Sequence, residues 1–558
     1  MKKTHRRILC LLLCLALCTA FVSACGGGGS DNAGSSSQPG DTATGSNSSP
    51  GSQSPAPSQT STAPSVAPAL PSAEEPPPPD SEYYDHLTVL INDKISVVDL
   101  YNPAVGSSQL AFITQNLYNR LIRRTPEAEF EPELALSWST EDYVTFNFKL
   151  RDDVYFHNGE KFTAADVAYT IEQSHNAPGT AMYDRYSQVD SVEIVNDYEV
   201  NVILETVDVD FYHLISASTG GILNEKAYND DPEKGSWVGT GPWILTELVQ
   251  GESMQFIRND NYFGEAPLTS TMTFRYIAEP TAKLIMIEND EADITNLDSA
   301  YIPPYENDPD YLLWGYTMDN TNMIAFNMND PILSDINFRL AVAHAFRPED
   351  CLEITLNGYG VVMDSGTFWG GATEFRNNDI PKYEFDLDLA KEYLEKSSYN
   401  GEPIEAVASM SHTIKNAQIL QENLRVIGIN IEIFETDGPT MSAYLQWSNN
   451  DHQIVVGSSV WGGRASTARN YLYPGMTSNN ARYDNPRVNE LIDLGGVTMD
   501  RSEREKIYRE IQEIVAEDVP YIPIFNMSLY YISQQGFGGV VWYPDNNHDF
   551  SHAYRVKM

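Results

Sequence analysis

The sequence is poor in cysteine, with five in 558 residues. Three of them, Cys10, Cys14 and Cys18, lie in an apolar run near the N-terminus, and Cys25 closes that run. Only Cys351 remains in the body of the chain, so no intramolecular disulfide can form there. The fold must therefore depend on its hydrophobic core, for which a chain of this length has ample material, and we expect more than one lobe.

Positive charge is also scarce, because 35 Lys and Arg residues stand against 78 Asp and Glu, a net charge of −43. Nucleic acid binding needs clustered Lys and Arg against the phosphates, so this class of partner is excluded. We interpret the acidity as a means of solubility at an exposed cell surface. No second apolar stretch reaches the length of a membrane span, so no further span is predicted.

The common catalytic motifs are missing: the sequence has no Gly-x-Ser-x-Gly, Walker loop, His-Glu-x-x-His or Cys-x-x-Cys. Gly239-Thr240-Gly241 is followed by Pro242, which does not suit the start of a phosphate-binding helix. His548 and His552 have the spacing of helical metal ligands, but they lie in a Pro- and Asn-rich stretch, and we interpret the spacing as chance. We predict a protein that is not an enzyme, with no catalytic residue, metal site or cofactor.

The N-terminus has the pattern of a secretory signal, predicted over residues 1–24. Four basic residues precede a short apolar core that begins at Ile8, and small residues follow it. The tetrad Val22-Ser23-Ala24-Cys25 resembles the bacterial lipobox. The resemblance implies cleavage before Cys25, a diacylglyceryl group on its thiol and a position on the outer face of the bacterial cytoplasmic membrane, at the cell surface or in the periplasm. The alternative is an ordinary signal peptide that happens to contain cysteines.

Residues 25–84 are predicted to form a stalk between this anchor and the folded body. From Gly26 to about Asp80 the chain is mainly Gly, Ser, Thr, Pro, Ala and Gln, without Lys or Arg. Such a segment buries too little apolar surface to offset its ordering entropy, so disorder is expected. Pro76–Pro79 should stiffen its end.

Hydrophobic periodicity predicts helices and strands mixed throughout the body, which favours an α/β or α+β fold with two lobes. Val144–Leu150 alternates like a half-buried strand. Thr163, with Asp166 three residues later, predicts a helix that begins with a capping box. Ser334 is predicted to cap a helix over Asp335–Ala345.

The stretch Phe148–Val167 (FKLRDDVYFHNGEKFTAADV) is the most specific in the sequence. It resembles the signature of the family 5 extracellular solute-binding proteins, which are the oligopeptide, dipeptide and nickel receptors of bacterial ABC importers. Asp153 and Lys161 depart from the signature, where Gly and Pro are usual. Weaker matches on both sides of this stretch occur in the family's order, from about Leu87 to Tyr543. Among them are residues 239–243 (GTGPW), 258–262 (RNDNY), 325–329 (AFNMN) and 483–486 (YDNP).

The resemblance implies an α/β, two-lobed periplasmic-binding-protein-like fold of the large cluster C type, with a hinge and an inserted subdomain in the first lobe. Lobe 1 is expected to comprise residues 85–117, 238–318 and 520–558, the subdomain residues 118–237, and lobe 2 residues 319–519. The signature, with Arg151 and His157, falls in the subdomain and is interpreted as a fold marker rather than a ligand site.

The resemblance also implies that the protein captures a small ligand between its lobes and delivers it to the permease subunits of an ABC importer. An oligopeptide is predicted, because most of the family transports peptides. An oligosaccharide is the first alternative, and a nickel chelate ranks lower because no His cluster lies near the ligand loop. A lipid-anchored sensor or adhesin is the alternative outside transport. The expected partners are the ligand, the permease and, through Cys25, the lipid bilayer, and the protein is expected to be a monomer.

The family's ligand loop has the pattern Trp-x-Ala-Asp-Tyr-x-x-Pro, and its Asp pairs with the α-ammonium group of a bound peptide. The matching run here begins at Trp461, and Arg464 takes the place of that Asp. A guanidinium cannot accept a hydrogen bond from an ammonium group, but it matches a carboxylate or a phosphate. Arg464 is therefore predicted to hold an anionic group: a peptide C-terminus, an acidic side chain or a uronic acid. A one-residue slip in the alignment would instead leave it in a solvated loop.

The candidate ligand-binding residues are Trp461, Arg464, Tyr471, Trp369 and Asn327. Trp461 and Trp369 carry two interpretations, since an indole can stack on a ligand or fill a core. Apolar clefts with aromatic walls and a few polar anchors are typical of small-molecule sites.

Overall fold

The computed structural model describes residues 81–105, 107–126, 129–363, 365–371, 373–543 and 547–558. The predicted signal peptide, Cys25 and nearly all of the predicted stalk lie outside these residues. Within these ranges, no helix combines the length and apolar character that crossing a bilayer requires.

The helices are α1 (Ser107–Leu117), α2 (Ala164–His175), α3 (Ala181–Tyr186), α4 (Phe211–Ile215), α5 (Glu225–Asp230), α6 (Pro232–Gly235), α7 (Pro280–Glu288), α8 (Ile336–Ala345), α9 (Pro348–Leu356), α10 (Leu387–Lys396), α11 (Ser411–Arg425), α12 (Gly438–Tyr444), α13 (Ala468–Leu472), α14 (Pro486–Val497) and α15 (Arg501–Asp518). Short 3₁₀ segments cover Ser299–Tyr301 and Ala465–Thr467.

The strands are β1 (His86–Ile91), β2 (Ile122–Arg124), β3 (Phe130–Pro132), β4 (Ala135–Ser139), β5 (Thr145–Leu150), β6 (Val189–Asn196), β7 (Glu199–Leu204), β8 (Trp243–Val249), β9 (Ser253–Arg258), β10 (Thr271–Tyr276), β11 (Ile294–Leu297), β12 (Tyr311–Phe326), β13 (Gly360–Val362), β14 (Ile404–Ala408), β15 (Ile431–Glu435), β16 (Ile454–Val460), β17 (Tyr521–Gln534), β18 (Phe537–Gly538), β19 (Val541–Tyr543), β20 (Asn547–Asp549) and β21 (Tyr554–Arg555).

A mixed sheet of 11 strands is the framework of the fold. Its order is β15-β14-β16-β12-β17-β11-β1-β10-β9-β8, and β13 pairs with β17. The central strands β12 and β17 are antiparallel. On one side β1 runs parallel to β10 and β11, and on the other β14 runs parallel to β15 and β16. Because parallel neighbours need crossover connections, the helices lie between the strands in the chain, which gives the α/β character.

Strands β12 and β17 pass through two separate hydrophobic cores. Trp314 and Tyr316 of β12 pack with β1, β10 and the inner residues of β5, in what we call the first lobe. Ile324 and Phe326 pack with β14 and β16, in the second lobe. Between them, the pairing register of β12 with β17 shifts twice over residues 317–323. Such breaks in a ladder bend strands, so this segment is the expected hinge.

A smaller sheet of order β4-β5-β7-β6 lies within the residues predicted as an inserted subdomain. The predicted alternation is confirmed, because Phe146, Phe148 and Leu150 of β5 are buried between less buried neighbours. The helix predicted from Thr163 is also confirmed, and the Thr163 N–H donates to the Asp166 carboxylate at 3.0 Å. The exact limits of the lobes and subdomain stay predictions.

The predicted cap of α8 is wrong by one residue. Asp335, not Ser334, is the N-cap, and its Oδ1 accepts a hydrogen bond from the Asn337 N–H at 2.9 Å. The Ser334 hydroxyl instead donates to the Pro331 carbonyl at 3.2 Å, within the preceding turn. Asp and Ser cap helices about equally well, so the local turn decides between adjacent candidates.

Candidate functional site

The loop after β16 contacts both lobes. Its Gly462 and Gly463 have φ values of +61° and +76°, a left-handed conformation that glycine adopts at the least cost. The Gly463 N–H donates to Asp319 Oδ2 at 2.7 Å, which ties the loop to β12. Arg124 Nη1 of β2, in the first lobe, donates to the Gly462 carbonyl at 2.6 Å. The loop is therefore held at the junction of the lobes.

Asp319 lies in the expected hinge segment of β12 and connects this strand to two loops of the second lobe. Besides Gly463, its carboxylate accepts from Thr373 Oγ1 at 3.1 Å, and its carbonyl accepts from the Trp461 N–H at 3.2 Å. A Cβ atom at Gly370 would lie 1.8 Å from Asp319 Oδ1, so only glycine fits there. The sequence analysis missed Asp319, because a buried aspartate in the middle of a strand belongs to no motif.

Three of the predicted ligand residues lie together in an aromatic cluster. Trp461 stacks on Trp369 with ring centroids 4.7 Å apart, and Tyr471 lies 5.3 Å from Trp461 on another side. Trp461 is 1% exposed and Trp369 is fully buried. Trp461 Nε1 donates to Ser459 Oγ at 3.1 Å. The cluster belongs to the core of the second lobe and supports the loop from behind, and contact of these rings with a ligand stays a prediction.

Replacing Trp461 with phenylalanine is expected to lower the free energy of unfolding by about 0.5–1.5 kcal/mol or more, because the stacked pair with Trp369 is lost together with some buried area. Urea denaturation of wild type and variant measures the difference. Phe385→Leu is the control, since Phe385 is 46% exposed. Equal losses in the two variants would contradict the packing role of Trp461.

Asn327 forms its hydrogen bonds with residues outside the group of predicted ligand residues. Its Nδ2 donates to the carbonyls of Asn450 and His452, at 3.2 and 2.7 Å, and its Oδ1 accepts from the Asn329 N–H at 3.0 Å. These bonds fasten the end of β12 to the segment before β16. Asn327 is fully buried by this network, and a contact with ligand stays a prediction.

Arg464 is half-buried at the start of the 3₁₀ segment that follows the loop. Its guanidinium has no hydrogen-bond or ion-pair partner among the residues that the structure describes. Burial lowers the pKa of Arg464, the charge of Asp210 raises it, and Arg124 lowers it. Asp210 and Arg124 both belong to the first lobe, so Arg464 lies within electrostatic reach of the opposite side of the junction.

A buried ion pair joins the two lobes beside Arg464. Arg504 of α15 donates through Nη2 to Asp210 Oδ1 at 2.7 Å, and the two residues are 7% and 3% exposed. Glu374 is the second carboxylate, paired with Arg501 and 3.9 Å from Arg504 Nη2. Asp210 precedes α4 in the first lobe, whereas Arg504 packs beside Tyr508 in the second-lobe core.

The charge states of this junction follow from burial and from the arginines. Burial alone would raise the pKa of Asp210, but Arg504 holds it below its ordinary value. Burial raises the pKa of Glu374 and lowers that of His213 to about 4. Near neutral pH, His213 is therefore uncharged while Asp210 and Arg504 form a charged pair.

The sequence analysis missed this junction for a physical reason. Asp210 and Arg504 are 294 residues apart, and no periodicity links them. Among 78 acidic residues, no single aspartate is distinguished by type or spacing. The fold brings charged groups of both signs together here, where the two lobes are in contact.

Comparisons with known proteins agree with this architecture. A family model described as "Bacterial extracellular solute-binding proteins, family 5 Middle" matches residues 129–483. The nickel-binding periplasmic protein of Escherichia coli (strain K12) is 24% identical over an alignment of 475 positions, and the match covers 79% of this chain and 90% of that protein. The oligopeptide-binding protein AppA of Bacillus subtilis (strain 168) is 22% identical over 500 residues, covering 82% and 89%.

Solved structures show the same fold. The ABC transporter substrate binding protein CtaP from Listeria monocytogenes matches with a TM-score of 0.75 at 22% identity, over 85% of this chain and 100% of that chain. DppA from Helicobacter pylori, in complex with the peptide STSA, matches with a TM-score of 0.68 at 20% identity, over 85% and 99%. The two-lobed α/β fold predicted from the sequence is confirmed.

Proposed function

Because the chain belongs to the bacterial extracellular solute-binding proteins of family 5, we propose that it is the lipid-anchored binding component of an ABC importer. It captures a ligand between its two lobes, leaves the ligand chemically unchanged and delivers it to the permease subunits in the membrane. It acts as a monomer. The chain matches solute-binding proteins over most of their length, which supports a binding function rather than catalysis.

The proposed ligand is an oligopeptide that places an anionic group on Arg464. The observation that carries this proposal is the half-buried guanidinium at the junction of the lobes, which has no hydrogen-bond or ion-pair partner within the described part of the chain. A charge in such a place needs a counter-charge to offset its desolvation. The burial of Trp461 and Trp369 favours a peptide over an oligosaccharide, since a sugar would need exposed ring faces to stack on.

A thermal-shift screen of the purified protein tests the ligand class. Di- to octapeptides with a free C-terminus or an acidic side chain are expected to stabilise the protein by about 2.7 kcal/mol at a hundredfold excess over their Kd. The peptide should be recovered intact. Gluco- and xylo-oligosaccharides and nickel–histidine form the other arms of the screen, and a shift with one of them but with no peptide would contradict the proposal.

The anchoring proposal rests on Cys25 and the lipobox-like tetrad before it. Replacing Cys25 with alanine is expected to release the protein from the membrane or leave its signal uncleaved, because no thiol remains to take the lipid. Membrane fractionation and intact-mass measurement check this. Cys18→Ala is the control, since Cys18 lies within the apolar run. A Cys25→Ala protein that stays membrane-bound with the lipidated mass would show that Cys25 is not the anchor.

A further inference from the structure

Three side chains that can ligate a metal ion meet where the two lobes touch. Asp210, His213 and Glu374 each offer an oxygen or nitrogen, and these atoms lie within 4.8 Å of one another. Asp210 Oδ2, His213 Nδ1 and Glu374 Oε2 are buried and have no hydrogen-bond partner among the described residues. Asp210 itself is only 3% exposed. Buried polar atoms normally have a hydrogen-bond partner. Three buried polar atoms without one, on side chains that lie together, therefore indicate a binding site.

The arginines around this point leave one oxygen of each carboxylate available. Arg504 donates to Asp210 Oδ1, and Arg501 donates to Glu374 Oε1. The second oxygens, Asp210 Oδ2 and Glu374 Oε2, accept no hydrogen bond from the described residues, although Glu374 Oε2 lies 3.9 Å from Arg504 Nη2. In metal sites, a ligating carboxylate is typically hydrogen-bonded in turn by an outer residue that orients it. The arginines therefore orient the two carboxylates through their first oxygens.

The backbone around Glu374 is also fixed in an uncommon conformation. Phe375, the next residue, has a φ of +58°, which is rare for a bulky side chain. The Glu374 N–H donates to the Gly463 carbonyl at 3.1 Å, and Gln512 Nε2 donates to the Phe375 carbonyl at 2.9 Å. These bonds fix the backbone on both sides of the Glu374 side chain, and such strain is common at functional sites.

We propose that Asp210, His213 and Glu374 form a binding site for a divalent transition-metal ion of the Zn²⁺ or Ni²⁺ class. One imidazole nitrogen and two carboxylate oxygens are a donor set that these ions accept, with water or a ligand group in the remaining positions. Ligand atoms around one such ion lie about 3–4 Å apart, so the ion would draw the three atoms together slightly.

The site is complete only when the lobes are closed. Asp210 is the N-cap residue of α4 and His213 lies within that helix, both in the first lobe, whereas Glu374 belongs to the second. An ion that binds all three therefore binds the closed form better and raises its population. The inference is independent of the peptide proposal, because none of the three residues has been assigned to the peptide.

The test is calorimetric titration of the EDTA-treated, full-length protein with Zn²⁺, supported by the visible absorption of bound Co²⁺. We expect one Zn²⁺ per chain, an affinity at least tenfold lower in His213→Ala, and loss of the Co²⁺ absorption band in that variant. His86→Ala is the matched control, because His86 is exposed and far from the three residues in sequence. Its affinity should equal that of the wild type.

Glu374→Gln is a second variant, which keeps the shape of the side chain. It replaces His213→Ala in the test if circular dichroism shows that His213→Ala is unfolded. It should also weaken Zn²⁺ binding at least tenfold. Absence of Zn²⁺ binding in the wild type would overturn the inference and leave water as the partner of the three atoms. Equal affinity in the wild type and the site variants, or a loss in His86→Ala instead, would overturn it as well.

Discussion

Replacing Arg464 with alanine is expected to weaken peptide binding by about 2–5 kcal/mol, the usual cost of truncating one side of a buried charge pair. Asp210 and Asp208 act on the charge of Arg464, but its guanidinium makes no direct ion pair or hydrogen bond with the described residues, so the ligand is the expected direct partner. Isothermal titration calorimetry with a peptide found in the thermal-shift screen measures the loss. Arg469→Ala is the matched control, since Arg469 lies on the same segment but pairs with Asp493 at the surface.

Arg464→Asp extends the same experiment. It restores the carboxylate that the family carries at this position and is expected to move the preference toward ligands that present a free amine. Equal affinity in the wild type and both Arg464 variants would mean that the side chain lies outside the ligand site. The family alignment of the loop would then have slipped by a residue or more.

Breaking the pair between Arg504 and Asp210 is expected to destabilise the closed form by about 3–5 kcal/mol, because Arg504→Ala leaves Asp210 and Glu374 buried without their shared cation. The lobes should open and the affinity for ligand should fall. Spin labels at Glu193 in the subdomain and Lys391 in the second lobe, both exposed, report the distance between the lobes.

Arg487→Ala is the control for Arg504→Ala. Arg487 pairs with Glu510 at 2.8 Å, but both side chains are more than 40% exposed, and such surface pairs contribute only about 0–1 kcal/mol. An unchanged distance distribution and unchanged affinity in Arg504→Ala would contradict a role of the pair in closure.

Much of the fold followed from local patterns in the sequence. Phe146 and Phe148 alternate with polar residues in β5, and the capping box of Thr163 and Asp166 begins α2. Each of these signals lies within a few residues, so it can be recognised from the sequence. The cap of α8 shows the limit, because Ser334 and Asp335 are adjacent candidates and the turn before them decides.

The site was predictable only where a motif runs through it. Trp461 and Arg464 were singled out because the family loop includes them, and their contact with a ligand stays a prediction. The bond of Asp319 to that loop and the pair of Asp210 with Arg504 result from long-range folding. A charged residue becomes distinctive only when its burial and its partner are known, and neither can be obtained from spacing.

The central claim is that the two lobes hold a peptide whose anionic group lies on Arg464, and a calorimetric double-mutant cycle tests it most directly. A peptide from the screen is prepared in its original form and in forms in which the C-terminal carboxylate or one acidic side chain is replaced by an amide. Each form is titrated into the wild type and into Arg464→Ala. We expect that replacing the carboxylate that contacts Arg464 weakens binding to the wild type by about 2–5 kcal/mol and leaves binding to Arg464→Ala nearly unchanged. Equal effects of every replacement on both proteins would contradict the central claim.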